Sequence, residues 1–176
     1  MELVLSLFTG AGLLDRGFRL EGFCVVSAGD ILTGQDIREF TAPRHKFSGV
    51  IGGSPCQEFS KAFRGVPTGY GLAMVGEFCR IVKESDSDWF LLENVPQVPS
   101  VEIPGFTVQR FNLNAKECGV SQNRLRCFQF GSRDGSRLVL DRCVTPGTPW
   151  NVTGDAARVS EPGPVTAGPS QLPLLA

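Results

Sequence analysis

The sequence predicts an α/β chain built on a doubly wound sheet. Three observations point there. Short apolar runs of strand length recur along the chain, glycine-rich turns follow several of them, and segments with helical spacing separate them. Glu2–Phe8 (ELVLSLF) is the first expected strand, ended by Thr9-Gly10-Ala11-Gly12. Leu13–Glu21 follows as a helix, with Leu13, Leu14, Gly17, Phe18 and Leu20 assigned to its inner side. Phe23–Ala28 (FCVVSA) is a second buried strand, ending at Gly29-Asp30, and Phe47–Ile51 is a third, running into Gly52-Gly53-Ser54-Pro55-Cys56. Gly71–Lys83 has helical spacing at Leu72, Val75, Phe78, Cys79 and Val82. Trp89–Leu92 is a short apolar strand leading into Glu93-Asn94-Val95-Pro96. Phe106–Leu113 alternates as a strand does, and Arg126–Gly131 is a candidate partner for it. In such folds ligands sit at the carboxyl ends of the strands, and the motifs described below fall at such ends.

The 176 residues suggest one domain, assigned to residues 1–140. From about Arg142 the chain turns rich in Pro, Gly and Thr, so 141–176 is expected to be extended or partly disordered. With 41% apolar and 20% charged residues, the composition is that of a soluble globular chain. No apolar run approaches the ~18–20 residues that span a bilayer, and the apolar start lacks a basic leader, so no membrane segment or signal peptide is expected. The net charge of −1, from 17 basic and 18 acidic residues, leaves no whole-chain basic footprint for nucleic acid. Six cysteines (24, 56, 79, 118, 127 and 143) include no C-x-x-C pair, and His45 is the sole histidine. Neither a zinc site nor a disulfide framework is expected, and most of these cysteines are assigned to the core.

Five motifs carry possible chemistry. The glycine turn at Phe8–Gly12 lets a ligand approach the backbone and meet a helix N-terminus, although Asp15 breaks the G-x-G-x-x-G fingerprint. A tight packing turn is the other reading. Asp30 lies ~20 residues after Gly10, the spacing at which an acidic residue meets a ribose; a solvated turn aspartate is the alternative. Cys56, just past a strand, two glycines and a proline, is placed at a rigid turn. A thiol there is a good nucleophile, and a following helix N-terminus would favour its thiolate, but a structural cysteine has the same surroundings. Glu93 ends an apolar strand, where partial burial would raise its pKa and make it a proton donor; a turn cap is the other reading. Arg124 and Arg126 share one face of an extended segment and suit a carboxylate, a phosphate or a base carbonyl, or a surface ion pair.

In this order the motifs resemble the DNA (cytosine-5)-methyltransferase family from about Val4 to Arg133. LSLFTGAG is similar to its first cofactor loop, and VVSAGDI to its second-strand acidic motif. Gln35-Asp36-Ile37 is similar to the segment with the adenine-contacting aspartate, and GVIGGSPCQEFS to the nucleophile loop. WFLLENV and FNLNAKECGVSQNRLRCFQFGSR resemble the Glu-Asn-Val and Gln-x-Arg-x-Arg blocks. The resemblance implies a Rossmann-like S-adenosylmethionine-dependent methyltransferase fold. It also implies Cys56 as the nucleophile on C6 of cytosine and Glu93 as the group that protonates N3. Arg126 and Arg124 would steady the base. Phe8, Gly10, Gly12, Asp30, Asp36, Ile37 and Pro55 would line the S-adenosylmethionine site, with no metal. DNA with its base flipped out is the implied partner, and a bacterial or phage-encoded cytoplasmic enzyme the implied setting.

Departures accompany the resemblance. Ser54 stands where the family more usually has proline, and Asp30 and Asp36 are unusually close. Glu161–Gly168 is similar to the segment before the family's closing motifs, but no recognition domain of usual size fits between Arg133 and Glu161. Three readings follow: a compact self-sufficient enzyme, one subunit of a split enzyme whose partner supplies recognition, or a non-catalytic homologue. A transfer-RNA substrate stays open as well.

Overall fold

The computed structural model describes residues 1–60 and 63–140. The expected extended segment 141–176, with Cys143 and Glu161–Gly168, lies outside the described residues. Among the described residues, six strands and two α-helices follow one another as β1 (Leu3–Leu7), α1 (Leu13–Leu20), β2 (Cys24–Ala28), β3 (Gly49–Gly52), α2 (Tyr70–Ser85), β4 (Trp89–Asn94), β5 (Thr107–Asn114) and β6 (Leu125–Ser132). They form one sheet in the order β2-β1-β3-β4-β6-β5. β2, β1, β3 and β4 run parallel, whereas β6 is antiparallel to both β4 and β5. The expected pairing of the last two strands is therefore present, with β6 inserted between β4 and β5. No helix among the described residues is long and apolar enough to cross a membrane.

Strand alternation sends β1 side chains to both faces of the sheet. Leu5 and Leu7 join Val50, Phe90 and Leu92 under the apolar stripe of α2, made by Met74, Val75, Phe78, Ile81 and Val82. Val4 joins Ile51, Trp89, Leu91 and Phe130 on the other face, under Phe18 of α1. Phe18 stacks on Trp89 at 5.9 Å between ring centroids. The continuous apolar runs of β3 and β4 follow from this double cover, since both of their faces are buried.

α1 does not bury the leucines assigned to its inner side. Leu13 is 76% exposed, and the residues α1 buries are Phe18 and Asp15. Asp15 accepts hydrogen bonds from Ser6 Oγ at 2.5 Å and Ser27 Oγ at 2.8 Å, with Arg19 Nη2 at 3.6 Å. A buried carboxylate needs such partners. The residue that breaks the glycine fingerprint thus bolts α1 to β1 and β2. Leu72 in α2 is likewise 57% exposed, so the inward stripe of α2 passes through Met74 rather than Leu72. β2, expected as a buried strand, pairs only with β1 and is largely exposed along its length. An edge strand has a neighbour on one side only, and its apolar run does not reveal that.

Two glycines yield predictions of opposite sign. Gly131 of β6 faces Phe90, and a Cβ there would lie 2.1 Å from the Phe90 ring. Gly131→Ala should cost about 1–3 kcal/mol through overpacking. Gly76, exposed on α2, has open space at its Cβ. Gly76→Ala should stabilise by about 0.5–1 kcal/mol, because alanine restricts the unfolded chain and favours helix. Urea midpoints at constant slope would measure both.

Candidate active site

The carboxyl ends of β1, β2, β3 and β4 all emerge at one edge of the sheet, because these strands are parallel. β6 is reversed, so its amino end, with Arg126, reaches the same edge. There the chain encloses a cleft of about 330 Å³, within the size range of small-molecule sites. Of the residues singled out in the sequence, Phe8, Asp30, Asp36, Ile37, Pro55, Cys56, Glu93, Arg124 and Arg126 line it. Gly10 and Gly12 do not line it but shape the turn beside it, both with positive φ (52° and 72°).

One end of the cleft is acidic. Asp30, buried at the end of β2, accepts the Gly10 N–H at 2.6 Å and the Leu32 N–H at 2.8 Å. It ties the glycine turn after β1 to the turn after β2. Asp36 pairs with exposed Arg38, whose Nε lies 2.9 and 3.0 Å from the two carboxylate oxygens and whose backbone N–H donates at 2.9 Å. These bonds lower the Asp36 pKa to about 2. Gln35, Tyr70 and Met74 also face the cleft; Gln35 stood in the quoted Gln35-Asp36-Ile37 block without a role of its own, and the sequence reading missed Tyr70 and Met74. Tyr70 and Met74 belong to α2, whose first turns meet the sheet edge, a proximity with no local sequence signal.

The other end holds the reactive groups. β3 stops at Gly52, and four residues later Cys56 is half-buried at the cleft. Directly after it comes a single 3₁₀ turn, Gln57–Phe59, and α2 starts only at Tyr70. Glu58 in that turn accepts bonds from the Thr68 N–H (2.7 Å), Thr68 Oγ1 (2.5 Å) and the Gly71 N–H (2.8 Å). They hold its carboxyl below the usual range and join the segment after Cys56 to the start of α2.

Glu93, near the end of β4, receives Arg126 Nε at 2.9 Å. Burial pushes its pKa up, while Arg126 and Arg124 pull it down; burial prevails. Gly53 leaves room for this carboxylate, since a Cβ there would sit 3.1 Å from Glu93 Oε2. Arg124 is held by its backbone. Its N–H donates to Asn114 Oδ1 at 3.1 Å, and its carbonyl accepts the Ala115 N–H at 3.0 Å. Asn114 and Glu58 are positioning residues that the sequence reading passed over, although both lie inside the blocks it quoted. The assembled groups are a thiol, a carboxyl inclined to hold a proton and a guanidinium around one cavity. Such a set can add sulfur to an electron-poor ring while protonating it.

Because its folded pKa lies above its unfolded one, Glu93 favours folding in its protonated form. That contribution is present below the unfolded carboxylate pKa and is lost as pH rises through the folded value. Glu93→Gln cannot ionise. It should match the wild type in stability at low pH and become relatively more stable as pH rises through the Glu93 titration, as read from urea midpoints across a pH series.

The family description C-5 cytosine-specific DNA methylase matches residues 3–159. The chain is 35% identical over 161 residues to Type II methyltransferase M.FnuDI of Fusobacterium nucleatum, covering 74% of this chain and 46% of that protein. It is 33% identical over 169 residues to Type II methyltransferase M.MthTI of Methanothermobacter thermautotrophicus, covering 78% and 51%. The chain thus spans about half the length of these relatives. Among solved structures, a candidate DNA modification methyltransferase encoded within an Escherichia coli prophage superposes with a TM-score of 0.60 at 24% identity. That match covers 75% of this chain and 47% of the other, and it supports the fold alone. With its fold and the order of its motifs, the chain belongs to the C-5 cytosine-specific DNA methylase family.

Proposed function

We propose that this chain transfers a methyl group from S-adenosylmethionine to C5 of cytosine in DNA, through a covalent bond between Cys56 and C6. The observation that carries the reading is the convergence of Cys56, the Glu93–Arg126 pair and two aspartates on one cleft. The acidic end suits S-adenosylmethionine. Asp30 and Asp36 offer carboxylate oxygens with lone pairs to spare for ribose hydroxyls and an adenine amino group. Phe8, Ile37 and Pro55 offer apolar walls, and Gly10 and Gly12 keep the neighbouring turn open.

Cytosine C5 is a weak nucleophile until C6 carries an adduct. In the proposed sequence the Cys56 thiol loses its proton to solvent, and the thiolate bonds to C6 while Glu93 gives its proton to N3, so that the electrons of the C5–C6 double bond become available at C5. Arg126, in contact with Glu93, steadies the carboxylate left behind, and Arg124 faces the same cavity to orient the base. S-Adenosylmethionine, when bound, supplies a methyl group on sulfonium that C5 accepts. Loss of the C5 proton to solvent, with return of the N3 proton to Glu93, then expels the Cys56 thiolate and restores the ring. Since C5 and C6 are stacked inside a duplex, DNA is the proposed partner with the target base flipped into the cleft.

The test is transfer of label from S-adenosylmethionine to unmethylated DNA, with transfer RNA in parallel. Label in DNA cytosine should vanish to background in Cys56→Ala; wild-type transfer by that variant would overturn the mechanism. Glu93→Gln should lose about 10²–10⁴-fold in kcat, the usual worth of general acid catalysis. Wild-type kcat should fall as pH rises through the raised Glu93 pKa, because the proton donor is lost, and Glu93→Gln should lack that alkaline limb. Label confined to transfer RNA would redirect the substrate assignment.

A further inference from the structure

Beyond Gly52 and Leu92, the last registered pair, β3 and β4 share no ladder. The residues that follow are the reactive ones: Gly53 to Cys56 on one side, Glu93 and Asn94 on the other. Asn94 replaces the missing backbone bonds. Its amide Nδ2 donates to the Ser54 carbonyl at 3.0 Å and to Ser54 Oγ at 2.9 Å. Its own Oδ1 accepts the Val95 N–H at 2.8 Å, which sets the orientation of the amide. Both residues are buried, Asn94 at 1% and Ser54 at 4% exposure. Each N–H of the amide therefore has its own acceptor, and one of the two exists only because residue 54 has a hydroxyl. Proline or alanine at that position would leave a buried donor unmatched, a cost that favours movement of the loop.

We infer that the Ser54 hydroxyl is a positioning group: through Asn94 it locks the Cys56 loop to the strand carrying Glu93, and so sets the nucleophile against the acid. Ser54 sits two residues before Cys56, and Asn94 directly follows Glu93, so a pivot at this bond changes the sulfur-to-carboxyl geometry. Such small displacements lower the chemical step more than they lower binding. The inference rests on the proposed cytosine chemistry.

Thr and Val at position 54 match in shape, and only Thr keeps the hydroxyl. Methyl transfer and adduct formation with 5-fluorocytosine DNA are measured for wild type, Ser54→Thr, Ser54→Val, Asn94→Ala and the Ser54→Val/Asn94→Ala double variant, alongside thermal unfolding. Ser54→Thr should stay within about threefold of wild type. Ser54→Val should lose about tenfold in kcat and in adduct rate, with KM for DNA and for S-adenosylmethionine within about twofold. The double variant should be no slower than Asn94→Ala alone, since the two residues form one interaction. Equal rates for Thr and Val, a loss confined to KM, or additive losses would each overturn the inference while leaving the cytosine chemistry standing. If Ser54→Val does not fold, Ser54→Ala takes its place in the same comparison. A wild-type chain that forms no adduct and transfers no methyl would overturn the proposed function, and this inference with it.

Discussion

Reversal of β6 between β4 and β5 is the constraint on which the cleft depends. Parallel strands deliver only their carboxyl ends to one edge of a sheet. The antiparallel strand adds an amino end to that edge, and with it Arg126, whose side chain reaches Glu93. Were β6 parallel, its first residues would emerge at the far edge and the ion pair could not form. The antiparallel register also sets Glu93 opposite Phe128 and Asn94 opposite Cys127, so the acid lies on a strand paired on both sides.

Several polar groups buried in and around this sheet have matched partners. Asp15 is matched by two serines and bolts α1 to the sheet. Gln129 in β6 accepts the Val101 N–H at 2.8 Å and donates to the Pro99 carbonyl at 2.9 Å, holding the connection between β4 and β5. Asn94 is matched by Ser54 and Val95. Glu93 differs, since its arginine partner does not offset its burial and its proton is held more tightly than in an ordinary carboxyl. That imbalance suits the proposed role of Glu93, to give a proton to a ring and take it back.

The cleft has a division of labour that follows chain order. The turns after β1 and β2 form its acidic end, with Asp30 bridging them through Gly10. The turns after β3 and β4 form its reactive end, with Asn94 and Ser54 bridging those. Each bridge is a side chain that continues strand pairing after the backbone ladder has ended. Rigid placement at both ends is what the proposed two-substrate transfer would need, because its donor and acceptor atoms must meet within about 3–3.5 Å.

Much of this was legible in the sequence, since strand existence, strand order and the residues at strand ends are local properties. Apolar runs ended by glycine marked β1, β2 and β3, a run leading into Glu93-Asn94 marked β4, and the spacing of acidic and cysteine motifs after them marked both ends of the cleft. Burial direction was less legible. Leu13, Leu20 and Leu72 are apolar yet exposed, while Asp15 is charged yet buried, because what a helix covers is set by the sheet beneath it. β2 carries an apolar run like an interior strand but has a neighbour on one side only, and no local pattern encodes a missing neighbour. By itself, then, the sequence determined the elements, their order and the chemical types gathered at their ends. Tertiary structure alone decided the position of β6 in the sheet, the contact of Arg126 with Glu93, and the matching of Asn94 with Ser54. All three join residues tens of positions apart, where only the folded sheet sets distance and dielectric surroundings.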